Sequence, residues 1–432
     1  MPNIITNQLR INNAKNFIGS VQISSGNSLY MFLGKPNAWS MESAPDMPED
    51  TLRYSAKIWD EMIGLKRITP ENIAHVVKRI DWKKDIVYDE YNNNDDMLLD
   101  KSFYVLNSEF NVYKCISNHN GDMSKIEPTG KNLEIITLAD KYRWKYLYSI
   151  STGDQIKFLT NNWMPVLLND DVSANAKGGA IEQIRILNGG QDYSTTSAVV
   201  IRGDGQDVEI TPKLSLGVLY DFAYNNIGKD YRYATATIVD PTSSGKYANI
   251  QVIVSPYLGH GYDPISELGA YSLMINVKTA YNEGFGDFPG TFSYRNLGII
   301  KNPIDRYNNI ANAATLSALS GIYVNSVSGT FMQNEFINGV TSLANAYIVT
   351  SNINAGNGYI KVIRSSELTN NYSSFMQDEN ILGTVSGATA KVSSIFSSEI
   401  LPNNGDVYYI ENKTPITRSL DQTDLLHLVI EF

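Results

Sequence analysis

The chain has 432 residues, 43% of them hydrophobic, and a formal charge of −10 at neutral pH. That length suggests about two or three domains, each able to bury an ordinary core. The acidic balance and the lack of a long Lys/Arg run argue against nucleic-acid binding, and a single cysteine, Cys115, excludes an internal disulfide and fits assembly in a reducing cytoplasm.

The N-terminus, Met1 to Thr6, has neither the basic nor the apolar region of a signal peptide. No apolar run approaches the ~18 residues of a membrane span, so a soluble protein is expected. The 27 Tyr and 31 Gly, together with clustered Asn such as Asn92-Asn93-Asn94 and Asn370-Asn371, lean toward β structure with many turns.

In chain order, 17–23 and 29–34 read as strands, and 36–48 as a loop carrying Trp39-Ser40. Glu49-Asp50-Thr51 then opens a helix over 49–63 that ends at Gly64. Leu52, Ala56, Trp59, Met62 and Ile63 recur at helical spacing, which predicts a core stripe. His75 stands alone before Arg79, as a structural histidine. Residues 92–100 are turn-rich, and strands follow at 102–106 and 111–117, the second holding Cys115 as a small buried hydrophobe. A loop over 118–131 leads to 142–150, which alternates aromatic and polar residues and reads as a half-buried strand.

Two stretches carry internal repeats. Within 179–265, Gly190-Gln-Asp192-Tyr193 precedes the strand 198–201. Thirty-eight residues on, Gly228-Lys-Asp230-Tyr231 precedes the strand 236–239. Within 305–400, the sixteen residues Phe331 to Ala346 recur 44 residues later as Phe375 to Ala390, with Phe, Met, Gln, Glu, Ile, Gly, Ser, Ala and Ala shared. Both stretches predict small β modules of duplicated units.

The search for chemistry yields little. Walker, Gly-x-Gly-x-x-Gly and Gly-x-Ser-x-Gly patterns are absent. Gly259-His260-Gly261-Tyr-Asp263-Pro264 comes nearest to a site, and glycines at unusual backbone angles in a tight loop explain it more simply. His75, His119, His260 and His427 lack the short spacing of a zinc site. Asn92 to Asp96 lacks the EF-hand's central Gly and terminal Glu. Gly203-Asp204-Gly205 reads as a hairpin turn. No catalytic, cofactor-binding or metal residue is assigned, and interface residues stay unknown.

The last 28 residues read as two strands, Val407-Tyr-Tyr-Ile410 and Leu425 to Phe432. A polar turn joins them, containing Glu411-Asn412, Pro415 and Asp421-Gln422-Thr423. This block resembles the C-terminus of the baseplate wedge protein (gene-eight product family) of T-even-type contractile-tailed bacteriophages. Matches in order strengthen the likeness: Gly34, Trp39-Ser40, Trp59-x-x-Met62-x-Gly64, Arg79-x-Asp81-Trp82, Tyr88, Tyr91, Tyr113-x-Cys115, Tyr142-x-Trp144-x-Tyr146-Leu147-x-x-Ile150 and the segment Tyr294 to Pro303. The 259–264 turn also resembles one recurrent in related phage virion proteins.

The resemblance implies a mainly β fold: a β-sandwich core with a few short helices, interrupted by two inserted small β modules. The wedge core would comprise 1–178, 266–304 and 401–432, and the modules 179–265 and 305–400. It implies a structural subunit, not an enzyme, that bridges wedge components and helps couple host contact to sheath contraction. Expected partners are other baseplate wedge proteins, a second copy in a homodimer and tail fibres, with no nucleic acid, membrane or cofactor. The expected location is the tail baseplate of the virion, after assembly in the host cytoplasm. The alternatives are a tail adhesin or fibre-attachment protein whose modules bind host surface glycan, and a tail-associated glycan hydrolase with paired carboxylates.

Overall fold

A computed structural model describes residues 4–21, 26–241, 247–280, 291–364, 373–418 and 422–432. The fold is mainly β, with several sheets and a few short helices. No helix among the described residues is long and apolar enough to cross a membrane. The chain divides into two compact units: Met1–Lys15, Ala74–Met274 and Val429–Phe432 form one, Asn16–Ile73 and Ile275–Leu428 the other.

The first helix corrects the strand expected at 17–23. Residues Asn7–Ser20 are helical, and Gln22 and Ile23 lie outside the described residues. The periodicity is carried by Ile11 and Ala14, both buried, which sit three apart on one face. Three asparagines around them mask that signal. The second helix also differs, running only over Leu52–Asp60, with Thr51 Oγ accepting from Tyr54 N as its cap. Met62, Ile63 and Gly64 instead begin the strand Met62–Ile68, and Leu52, expected in the core, is 93% exposed.

In the second unit, a five-stranded sheet runs in the order 315–317, 62–68, 29–34, 292–301, 406–418. Leu29–Gly34 is central and buried at every position, so it is apolar on both faces. The C-terminal block departs from the expected turn. Glu411, Asn412 and Pro415 lie inside one strand, Asp406–Arg418, which pairs with Phe292–Lys301. The register slips between Tyr294↔Ile416 and Asn296↔Asn412, a bulge that takes in Pro415, the kind of place where a strand tolerates proline. Asn412 donates to Tyr54 Oη (2.6 Å), and Trp39 Nε1 donates to the Lys413 carbonyl (2.8 Å). The last strand, Thr423–Glu431, alternates as expected and buries Leu428; Asp421 is not among the described residues.

In the first unit, a four-stranded sheet orders its strands 104–106, 111–117, 143–149, 136–137. The stretch expected to be half-buried is not: Trp144 to Tyr148 are all buried, because Asn111–Ser117 and Ile136–Thr137 flank it and cores lie on both faces. Cys115 is fully buried there, and burial pushes its thiol well above the usual range.

The 38-residue repeat is visible in the pairing. Each copy supplies three strands: 181–188, 198–203 and 206–215, then 218–229, 234–239 and 249–254. First pairs with last, 181–188 with 249–254 and 206–215 with 218–229, while the middle strands pair with each other. That is a local two-fold. Gly190 and Gly228 (φ 66° and 68°) and Asp192 and Asp230 (65° and 64°) occupy the same left-handed positions. Gly203-Asp204-Gly205 is therefore no hairpin turn. It links strands that pair elsewhere, and Asp204 Oδ1 accepts from Arg232 N and Tyr233 N (2.9 and 3.2 Å).

The 44-residue repeat closes a six-stranded barrel in the second unit, ordered 320–328, 357–363, 345–354, 336–339, 380–383, 389–396. Its core pairs equivalent residues of the two copies: Phe331 with Phe375, Ile337 with Ile381, Ala344 with Ala388, Ala346 with Ala390. Closure leaves no open sheet edge.

Candidate functional site

The Gly-His-Gly turn is the candidate that comes nearest to a site motif, and its surroundings form a cluster of buried polar groups in the first unit. Gly259 and Gly261 hold φ of 93° and 85°. A Cβ on Gly259 would stand 2.5 Å from Lys177 N, and one on Gly261 2.4 Å from Val172 Cγ1. The glycines are thus required by both conformation and space. Asp263 follows as cap of the one-turn helix Pro264–Glu267, accepting from Ser266 N (3.2 Å) and Ser266 Oγ (2.7 Å).

That turn delivers Glu267 to Lys114 from strand Asn111–Ser117. The Lys114 ammonium donates to Glu267 Oε2 at 2.8 Å, and Gly261 N donates to Oε1 at 2.7 Å. The ammonium also lies 4.0 Å from the ring centre of Tyr91, a cation–π contact. His260, 4% exposed, meets Tyr91 edge-on at 4.7 Å. Its Nε2 is 3.4 Å from Glu182 Oε2, and its Nδ1 is 3.6 Å from Glu267 Oε2, too long for a hydrogen bond.

Burial, the largest single influence, acts to raise the Glu267 carboxyl, but the Lys114 charge and the neighbouring His260 together outweigh it and hold the group at about 2. Burial lowers the Lys114 ammonium. Burial, then the Lys114 charge, lowers His260, which favours the neutral ring. The cluster is an ion pair locked under a loop. Its two carboxylates, Glu182 and Glu267, are nearly shut off from solvent, with side-chain exposures of 13% and 5%. Its chemistry is to pin the 259–267 segment to the sheet. Gly259→Ala is expected to cost about 2–3 kcal/mol, from left-handed strain plus a backbone clash. A urea titration followed by tryptophan fluorescence checks it, and an unchanged midpoint would contradict this account.

The other candidates are placed separately. His75 Nδ1 lies 2.8 Å from the Ala270 carbonyl, His119 Nδ1 2.7 Å from Asp122 and His427 Nε2 3.2 Å from Asn276 Nδ2. In the 92–96 loop, Asn92 Oδ1 accepts from Asn94 N (3.0 Å), and Asp95 pairs with Lys101. No group of three or more His, Cys, Asp or Glu among the described residues could hold a metal ion.

Sequence reasoning missed the Lys114–Glu267 pair, whose members are 153 residues apart. It also missed what the shared Glu of the 44-residue repeat does. Glu335 accepts from Val385 N and Ser386 N (both 2.9 Å), Ser386 Oγ (2.7 Å) and Met332 N (2.6 Å). Glu379 accepts from Thr341 N (3.2 Å), Ser342 N (2.9 Å), Ser342 Oγ (2.8 Å) and Met376 N (2.5 Å). Each copy thus caps the other's turn. The signal was present: Glu, Ser and Gly recur together. A Cβ on Gly339 or Gly383 would come 2.8 Å from the opposite carboxylate, so the shared glycines make room for it.

Residues 3–129 match the family model described as Bacteriophage T4, Gp8. Over 202 residues, 38% of this chain, the sequence is 23% identical to the baseplate wedge protein gp8 of Enterobacteria phage T4, and the match spans 60% of that protein. The resemblance read from the motifs is thereby supported independently, and the matched stretch contains Gly34, Trp39-Ser40, Trp59 to Gly64, Arg79 to Trp82, Tyr88, Tyr91 and Tyr113-x-Cys115.

Proposed function

We propose that the chain is a structural subunit of the baseplate of a contractile phage tail, bridging wedge components and helping to couple host contact to sheath contraction. The observation that carries this reading is the match of residues 3–129 to the Gp8 family model. Mechanical work of this kind needs broad interfaces and alternative packings, not a reaction centre. In keeping with that, Lys114, Glu267 and His260 are engaged in holding a loop to a sheet.

In this reading 1–178, 266–304 and 401–432 form the wedge core, and 179–265 and 305–400 are insertions. The partners are other wedge proteins, a second copy of the chain and tail fibres, and the place is the virion baseplate after assembly in the host cytoplasm. Immunogold labelling of purified phage tails tests the location: label is expected at the baseplate and nowhere along the tube. Light scattering of the purified protein is expected to give twice the chain mass. Protein absent from tails, or purified protein that releases sugars from host envelopes, would sink the proposal.

A further inference from the structure

A cavity of about 490 Å³ opens in the first unit, where the sheet strand Arg143–Ser149 and the loops beside it face the 38-residue repeat. That size is ample for a saccharide ring. Its wall carries three permanent cations, Lys141, Arg143 and Lys213, in a chain whose net charge is −10. Lys213 is paired with Asp221 at 2.7 Å, the one carboxylate of the wall. No carboxylate pairs with Lys141 or Arg143 among the described residues.

Arg143 is held ready. Its guanidinium lies 5.0 Å from the ring centre of Tyr224. Its Nη1 donates to the Glu182 carbonyl (2.6 Å) and to Gln183 Oε1 (3.0 Å), and the guanidinium also hydrogen-bonds the Tyr224 side chain, so it is fixed in the wall of the cavity. Tyr224 is itself fixed, its hydroxyl accepting from Ile184 N at 2.8 Å. The rest of the wall includes neutral hydrogen-bonding side chains, Asn120 and Thr137 among them, and Tyr220, 56% exposed. Cations for an acidic group, amide and hydroxyl for sugar hydroxyls, and an open ring to stack on make one combined chemistry.

We propose that this cavity binds a carboxylate-bearing saccharide, with Lys141 and Arg143 on the carboxylate and Tyr220 against the sugar face. A carboxylate suits the paired charges of Lys141 and Arg143. The site stands whether or not the protein sits in a baseplate.

The test titrates the intact protein with trigalacturonate by calorimetry, with maltotriose and inorganic phosphate as parallel arms. Trigalacturonate is expected to bind, more weakly at high salt. Lys141→Glu and Tyr220→Ala, both at exposed positions and checked for an unchanged melting temperature, are each expected to weaken it about tenfold, the equivalent of one charge-assisted contact. No binding at millimolar trigalacturonate, equal binding of maltotriose or phosphate, or binding that both variants leave intact would each overturn the proposal.

Discussion

Glu335→Ala is expected to destabilise the barrel by about 3–5 kcal/mol, because it strips a charged acceptor from four donors at once. Three of those donors belong to the turn at 385–386 of the other copy, so the loss is not local to residue 335. Glu335 is 2% exposed, and water does not replace the carboxylate without opening the turn. Hydrogen exchange read by mass spectrometry checks this. Protection should fall over 380–390 and 336–346 and stay unchanged over 143–149. Glu379→Ala should give the mirrored pattern, centred on 341–342. A loss below about 1 kcal/mol in either variant would mean the turns stand without their caps.

The same residues set an acid limit. Burial acts to raise both carboxyls, but the donors, Ser386 N and Met332 N first for Glu335 and Ser342 N and Met376 N for Glu379, bring them below the ordinary 4.5. A depressed folded value gives stability that is complete above 4.5 and is lost as pH falls through the folded value. The barrel's protection should therefore decay on acidification below about 4.5, and Glu335→Ala should blunt that decay.

Lys114→Met is expected to cost the first unit about 3–5 kcal/mol, since it leaves Glu267 charged and unpaired in the interior. The double variant Lys114→Met/Glu267→Gln should recover most of that, because the new side-chain amide still accepts from Gly261 N and no lone charge remains. Trp144, cross-strand from Cys115, gives a fluorescence signal for the urea titration. If the double variant costs as much as both singles added together, the pair is not acting as a unit.

How far the sequence revealed this fold depended on the range of the interaction. Strands such as 111–117 and 29–34 were legible because alternation and apolar runs are local. The duplicated modules were legible because repetition survives folding. The expected helix runs past Asp60 because Met62 and Ile63 fit a helical stripe as well as a buried strand, and only pairing with Leu29–Gly34 decides between them. Pro415 looks like a turn residue from the sequence because a bulge depends on the partner strand's register. The cluster at His260 was half legible: the glycines announced an unusual loop, but its reason, Lys114, lies far upstream and looks like any strand lysine until the sheet buries it.

The crossed glutamates also impose a schedule. Ser386 is 51 residues downstream of Glu335. A ribosome adding about 5–20 residues per second takes roughly 3–10 s to cover that span. Throughout that wait the first copy holds a carboxylate that has Met332 N but lacks its three donors at 385–386, and its own 341–342 turn lacks Glu379. Nothing shorter than the pair can close, so this barrel emerges as a single late event in synthesis. A truncation between the copies would leave the earlier half waiting indefinitely, in the hands of chaperones and proteases.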